Sequence, residues 1–159
     1  MNRLKTLEEA KALCLAGEYR EALALTATLL LENPRDVDSL RLKGNILELQ
    51  VLEREANQEV KHTYSPEFGK ARACYEQILL IEPDHPGALT DLGSHWKNLG
   101  DTSKALDYFD RMLALHRDQK HENRDELIEA MEGKIEILKQ QGDIESARRL
   151  IEELKIIAA

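Results

Sequence analysis

Four short segments of this chain share one register: Gly17-Glu18-Tyr19-Arg20-Glu21-Ala22, Phe68-Gly69-Lys70-Ala71, Gly100-Asp101-Thr102-Ser103-Lys104-Ala105 and Gly142-Asp143-Ile144-Glu145-Ser146-Ala147. Each reads as a turn followed by a small residue in the first part of a helix. The alanines lie 49, 34 and 42 residues apart, which is one clean 34-residue period and two periods carrying insertions of 15 and 8. Internal similarity at such a period is the signature of stacked supersecondary units, none of which can bury its apolar face alone.

The units are helical. Aromatic residues make up 4% of the chain, Gly numbers 8 and Pro 4, while Leu, Ala, Glu and Lys dominate, a balance unsuited to sheets. Gly17, Pro34, Ser65-Pro66, Pro83, Pro86, Gly100 and Gly142 punctuate segments whose apolar residues recur at helical spacing. The pattern predicts an all-α chain with helices over 3–16, 18–32, 36–61, 66–82, 86–99, 102–119, 124–140 and 144–157.

Within the third unit, Leu89, Leu92, Gly93, Trp96, Ala105, Phe109 and Met112 form a pattern that resembles the tetratricopeptide repeat (TPR). The second gives Leu40, Gly44, Leu47, Ala71, Tyr75, Ile78 and Pro83 in the same register. The first keeps Ala10, Leu13, Ala22, Leu29 and Pro34 but has Thr6, Glu9 and Thr26 at positions usually large and apolar. The fourth keeps Met131, Leu138, Ala147, Ile151 and Leu154, with Ile135 where a small residue is usual. The resemblance implies a single domain spanning 1–159, a right-handed α-solenoid of four antiparallel helix pairs with repeats near 3–36, 37–85, 86–119 and 124–159. The insertions fall in repeat two and between repeats three and four. Helix packing accounts for the same residues independently. Gly44, Gly93, Ala71 and Ala105 are small because two backbones must approach closely, and Trp96, Phe109, Tyr75 and Leu47 are expected to fill the spaces between layers.

Several function classes drop out on charge and motif. The net charge is −8, with −2 on residues 1–80 and −6 on 81–159, and no basic stripe interleaved with aromatics occurs, so nucleic acid is not an expected partner. No run approaches the ~20 apolar residues of a membrane span, and the acidic start lacks the apolar core of a signal peptide, so a cytoplasmic protein with no membrane attachment is expected. Cys14 and Cys74 lie in helical runs and read as buried thiols. His116-Arg117-Asp118-Gln119-Lys120-His121-Glu122-Asn123 has the spacing of a kinase catalytic loop, but the phosphate loop, strand lysine and D-F-G are missing, and Asn123 with Glu126 reads instead as a helix capping box. His62, His85, His95, His116 and His121 include no i, i+4 pair suited to a metal. No catalytic residue, cofactor or metal is expected, and the chain is read as a non-enzyme.

What remains is a binding surface. The resemblance implies that one face of each first helix lines a concave groove: Leu7, Lys11 and Leu15 in repeat one; Arg41, Leu42, Asn45 and Leu49 in repeat two; Asp91, Ser94, Lys97 and Asn98 in repeat three; Glu129, Glu132 and Glu136 in repeat four. Arg41 with Asn45 resembles half of the carboxylate clamp of chaperone-binding members, and Asp91, Glu129 and Gly133 break the other half. The expected function is a protein–protein adaptor holding a peptide or amphipathic helix of another protein, with basic segments favoured. The alternatives are a dedicated small acidic chaperone for a secreted protein and a self-associating scaffold. For the last, Leu150, Ile151, Leu154, Ile156 and Ile157 crowd the final helix, leaving Ile156 and Ile157 as candidates for exposure and homodimer contact. Leu49, Leu52, Ala56 and Val60 extend an apolar stripe, so the insertion is expected to lengthen the third helix to about residue 61.

Overall fold

The computed structural model describes residues 2–58, 61, 65–117 and 123–159. Among these residues it contains eight helices and no strand: α1 Arg3–Leu15, α2 Tyr19–Glu32, α3 Val37–Ala56, α4 Pro66–Ile81, α5 Pro86–Asn98, α6 Thr102–Arg117, α7 Arg124–Gln140 and α8 Ile144–Ala158. They form four antiparallel pairs, and the chain divides into two compact units, Met1–Pro83 and Asp84–Ala159, holding two pairs each.

Three pairs turn the same way. Gly17, Gly100 and Gly142 have φ of 78°, 80° and 80°, a left-handed conformation open to glycine. The next residue's amide then reaches back to close the helix, as in Glu18 N to Leu13 O at 2.9 Å and Asp143 N to Leu138 O at 2.9 Å. Starts are equally local. Pro66 and Pro86 occupy first-turn positions, and Asp143 Oδ1 accepts from the Ser146 amide at 3.1 Å. At α5 the cap is His85, whose Nδ1 accepts from the Ala88 amide at 3.1 Å. Asn123 does sit at the N-cap of α7, yet its side chain makes no capping bond, so the expected capping box with Glu126 is not formed.

Repeat two replaces the glycine turn with length. Its first helix runs 20 residues and ends at Ala56, where Gln58 takes a φ of 62° and donates its amide to Glu55 O at 2.8 Å. The helix is therefore longer than its counterparts but stops about five residues before the expected end; Val60 lies outside the described residues. The buried residue of the extension is Val51, with Leu52 half-buried and Leu49 and Ala56 exposed, so the stripe is rotated from the one the sequence suggests.

The first unit is built around Leu7, Ala10, Cys14, Ala22, Leu29, Leu42 and Ile46. Two of its buried polar residues are satisfied locally: Thr26, fully buried, donates its hydroxyl to Leu23 O at 2.9 Å, and Thr6 donates to Asn2 O at 3.1 Å. Between α3 and α4 the ring of Tyr75 lies against Gly44, where an added methyl group would come 2.5 Å from it. The second unit uses the same device twice on one ring. Phe109 of α6 is fully buried with Gly93 of α5 on one flank and Gly133 of α7 on the other, and a methyl group at Gly133 would stand 2.5 Å from it. Gly133, not residue 135, is thus the small position of repeat four that admits a neighbouring ring, and Ile135 is simply buried. Trp96 does not fill a layer: it is half-buried, with Lys104 Nζ 3.9 Å above its ring.

These glycines differ sharply in what surrounds them. Gly93→Ala is expected to destabilise the protein by about 1–3 kcal/mol, because the Phe109 ring has a helix on each side and cannot retreat. Gly69 lies in α4 with nothing near its missing side chain, so Gly69→Ala should stabilise by about 0.5–1 kcal/mol. Paired chemical denaturation curves would check both signs.

Candidate functional site: an open groove between α1 and α3

Residues four apart share a helix face, which places Lys11 with Leu15 on α1 and Arg41, Asn45 and Leu49 on α3. In the structure these residues do converge. Together with Cys14, Asp38 and Leu42 they line a hollow of about 420 Å3 between the two helices. Leu15 is 90% exposed and Leu49 45% exposed, and Leu42 forms part of the floor. Leu7 is not part of this surface: it is 3% exposed and belongs to the core with Leu42 and Ile46, since the groove opens only beyond the stretch where α1 rests on α3.

The opening has a cause in packing. Helix α1 touches α3 over a short stretch, whereas α5 touches α7 along much of its length. At the near end α1 is clasped: Arg3 donates to both carboxylate oxygens of Asp36, Nε at 2.8 Å and Nη2 at 2.6 Å, and also to Asp38 at 2.6 Å. Asp36 is buried, accepts from the Ser39 hydroxyl at 2.8 Å, and is held below the ordinary carboxylate range mainly by the Arg3 hydrogen bond. The Arg3 guanidinium is raised in turn by the Asp36 and Asp38 hydrogen bonds. This clasp is absent from the sequence reading, although Arg3 and Asp36 stand about one repeat period apart, which is where repeat packing brings residues together.

The groove's polar groups are partly engaged. Lys11 Nζ pairs with Glu8 at 2.8 Å, an exposed pair of little energetic weight. Asn45 Oδ1 accepts from the Tyr75 hydroxyl at 2.9 Å, with Glu48 Oε2 3.1 Å from that hydroxyl, so Asn45 anchors a core ring as well as facing the groove. Burial raises the Cys14 thiol, which therefore serves as neutral lining.

In the second unit the corresponding face is closed. Thr90 donates to Glu126 O at 3.2 Å, Ser94 to Glu129 at 3.2 Å, and Lys97 pairs with Glu136. Asp91 is buried, Asn98 is exposed at the end of α5, and Glu132 is exposed on α7. Gly133 is covered by Phe109. At the end of α8, Ile156 is 79% exposed while Ile157 is half-buried, its carbonyl accepting from Arg124 Nε at 3.0 Å. Among the described residues no group of three or more His, Cys, Asp or Glu is placed to hold a metal ion, and no helix is long and apolar enough to cross a membrane. His62 and His121 lie outside the described residues.

Paired helices meeting through glycine and aromatic contacts are matched by a family model for the tetratricopeptide repeat over residues 62–132. Over those residues the chain carries the tetratricopeptide repeat. Among solved structures, the TPR fold described above is similar to the MamA RS-1 ArsTM double mutant, with a TM-score of 0.66 and 15% identity over 99% of this chain and 75% of that one. A crystal structure of MamA aligns with a TM-score of 0.52 and 14% identity over 94% of each chain. At such identities the likeness is one of fold. No curated protein sequence is matched.

The clasp gives the first unit a pH signature. Because the folded Asp36 pKa is depressed, its stabilisation is fully present above the unfolded carboxylate value of about 3.9 and is lost as pH falls through the folded value. Arg3→Ala should cost about 1–3 kcal/mol at neutral pH by stranding a buried carboxylate, and the difference from wild type should shrink in that acidic window. Denaturant midpoints of both proteins across the acid range would check it.

Proposed function

We propose that this protein-interaction module takes its partner in the α1–α3 groove, and that the partner is an amphipathic segment, peptide or helix, inserting an apolar side chain between Leu15, Leu42 and Leu49. The observation that carries the reading is an open hollow of about 420 Å3 whose apolar rim is exposed in the free protein. Each leucine that a partner covers contributes roughly 1.5–3 kcal/mol. Lys11 and Arg41 at the rim supply hydrogen bonds that fix the segment's register. The exposed carboxylates of α7, Glu132 with the engaged Glu129 and Glu136, form a separate surface that favours basic segments.

The decisive test is capture of partners from the protein's own cytosol with wild type and with Leu15→Glu combined with Leu49→Glu. Both side chains are exposed, so the double variant should melt as wild type does while losing the captured protein by at least tenfold. Undiminished capture would refute the groove.

Self-association has its own support in Ile156, which the fold leaves 79% exposed at the end of α8. Ile156→Glu should shift a dimer toward monomer in sedimentation at micromolar concentration. A wild type that is monomeric throughout that range would remove this reading.

A further inference from the structure

Three cations converge in the part of the chain with the largest surplus of acid. A hollow of about 230 Å3 in the second unit is lined by Arg117 at the end of α6, Lys134 on α7, and Ser146, Arg149 and Glu153 on α8, over a floor that includes Leu138 and Leu150. Residues 81–159 carry a net charge of −6, so a lining with three cations runs against the composition around it. Helix α5 contributes nothing to this hollow, which separates it from the α5–α7 face that the repeat register assigns to ligands.

Lys134 pairs with Asp110, and Arg149 with Glu145 at 2.7 Å, but those carboxylates are 55% and 81% exposed. Exposed pairs of this kind contribute little and yield to a stronger counter-charge. Arg117 makes no ion pair with any described residue. With Asp110 and Glu145 in place the three cations face three carboxylates; once those two exposed side chains swing aside, Glu153 alone leaves two positive charges over. A doubly charged anion replaces the two displaced carboxylates charge for charge, and two guanidinium groups offer it paired hydrogen bonds.

We propose that this hollow binds a phosphate monoester dianion. Arg117, Lys134 and Arg149 take its oxygens, and Leu138 and Leu150 carry its carbon stem. Two sources share that chemistry, a phosphorylated serine or threonine of a partner protein and a small free phosphate. The volume admits a phosphate and a short stem, and Glu153 disfavours a more highly charged polyphosphate.

The test is amide NMR of the whole chain at fixed ionic strength, titrated with inorganic phosphate, with a short phosphoserine peptide and with the same peptide unphosphorylated. Saturable shifts are expected around Arg117, Lys134 and Arg149, weakening as pH falls below about 6, where the dianion takes up a proton. Lys134→Ala combined with Arg149→Ala should weaken binding at least tenfold. Arg117→Ala, at an exposed helix end, should weaken it several-fold even if the double variant is poorly folded. Tighter binding of the phosphopeptide than of inorganic phosphate would identify a modified protein as the source, and equal binding a free phosphate. No saturable shift, an equal response to the unphosphorylated peptide, or wild-type binding by Arg117→Ala would overturn the proposal.

Discussion

An aromatic ring pressed against glycine is the contact on which the helix packing depends. Phe109 has Gly93 on one side and Gly133 on the other, so a single side chain sets the spacing of α5, α6 and α7 together. Dispersion and burial favour the contact, and the missing methyl groups make it possible. With that spacing fixed, Ser94 reaches Glu129 and Lys97 reaches Glu136, and the seam between α5 and α7 is closed. The first unit offers the contrast. Four residues after the helix-B alanine, where repeat three has Phe109 and repeat two has Tyr75, repeat one has Thr26. The ring that α2 does carry, Tyr19, sits at its start and bonds Glu53 of α3; α1 meets α3 near Leu7 and the Arg3 clasp, and the hollow opens beyond.

The proposed function rests on that difference between the seams. A closed seam presents side chains already bonded to one another, and a ligand must break those bonds to enter. An open seam presents Leu15 and Leu49 to solvent, so covering them releases free energy without displacing an internal contact. The atypical first repeat is therefore where the proposed partner site lies.

Most helix boundaries were legible because their signals are local. Gly17, Gly100 and Gly142 mark turns that need a left-handed residue, and Pro66 and Pro86 mark starts. Six of the groove residues, Lys11, Leu15, Arg41, Leu42, Asn45 and Leu49, were legible from helical periodicity combined with the repeat register. The misreadings concern partners distant in sequence. Leu7 shares the register of the groove but is covered where α1 rests on α3. Gly133 looks like a ligand position until Phe109 is seen against it, and the bonds that engage Glu129 and Glu136 come from residues 35 and 39 positions earlier. The hollow around Arg117, Lys134 and Arg149 leaves no trace in the sequence because it is assembled from three helices.

The central claim is that Phe109 and its flanking glycines form one coupled contact, and a double-mutant cycle between Gly133→Ala and Phe109→Leu tests it most directly. Each single change should destabilise, the first by overpacking and the second by leaving a void. The smaller leucine makes room for the new methyl group, so the double variant should be more stable than the sum of the single losses implies, by about 0.5–3 kcal/mol. Strict additivity of the two losses would contradict the claim.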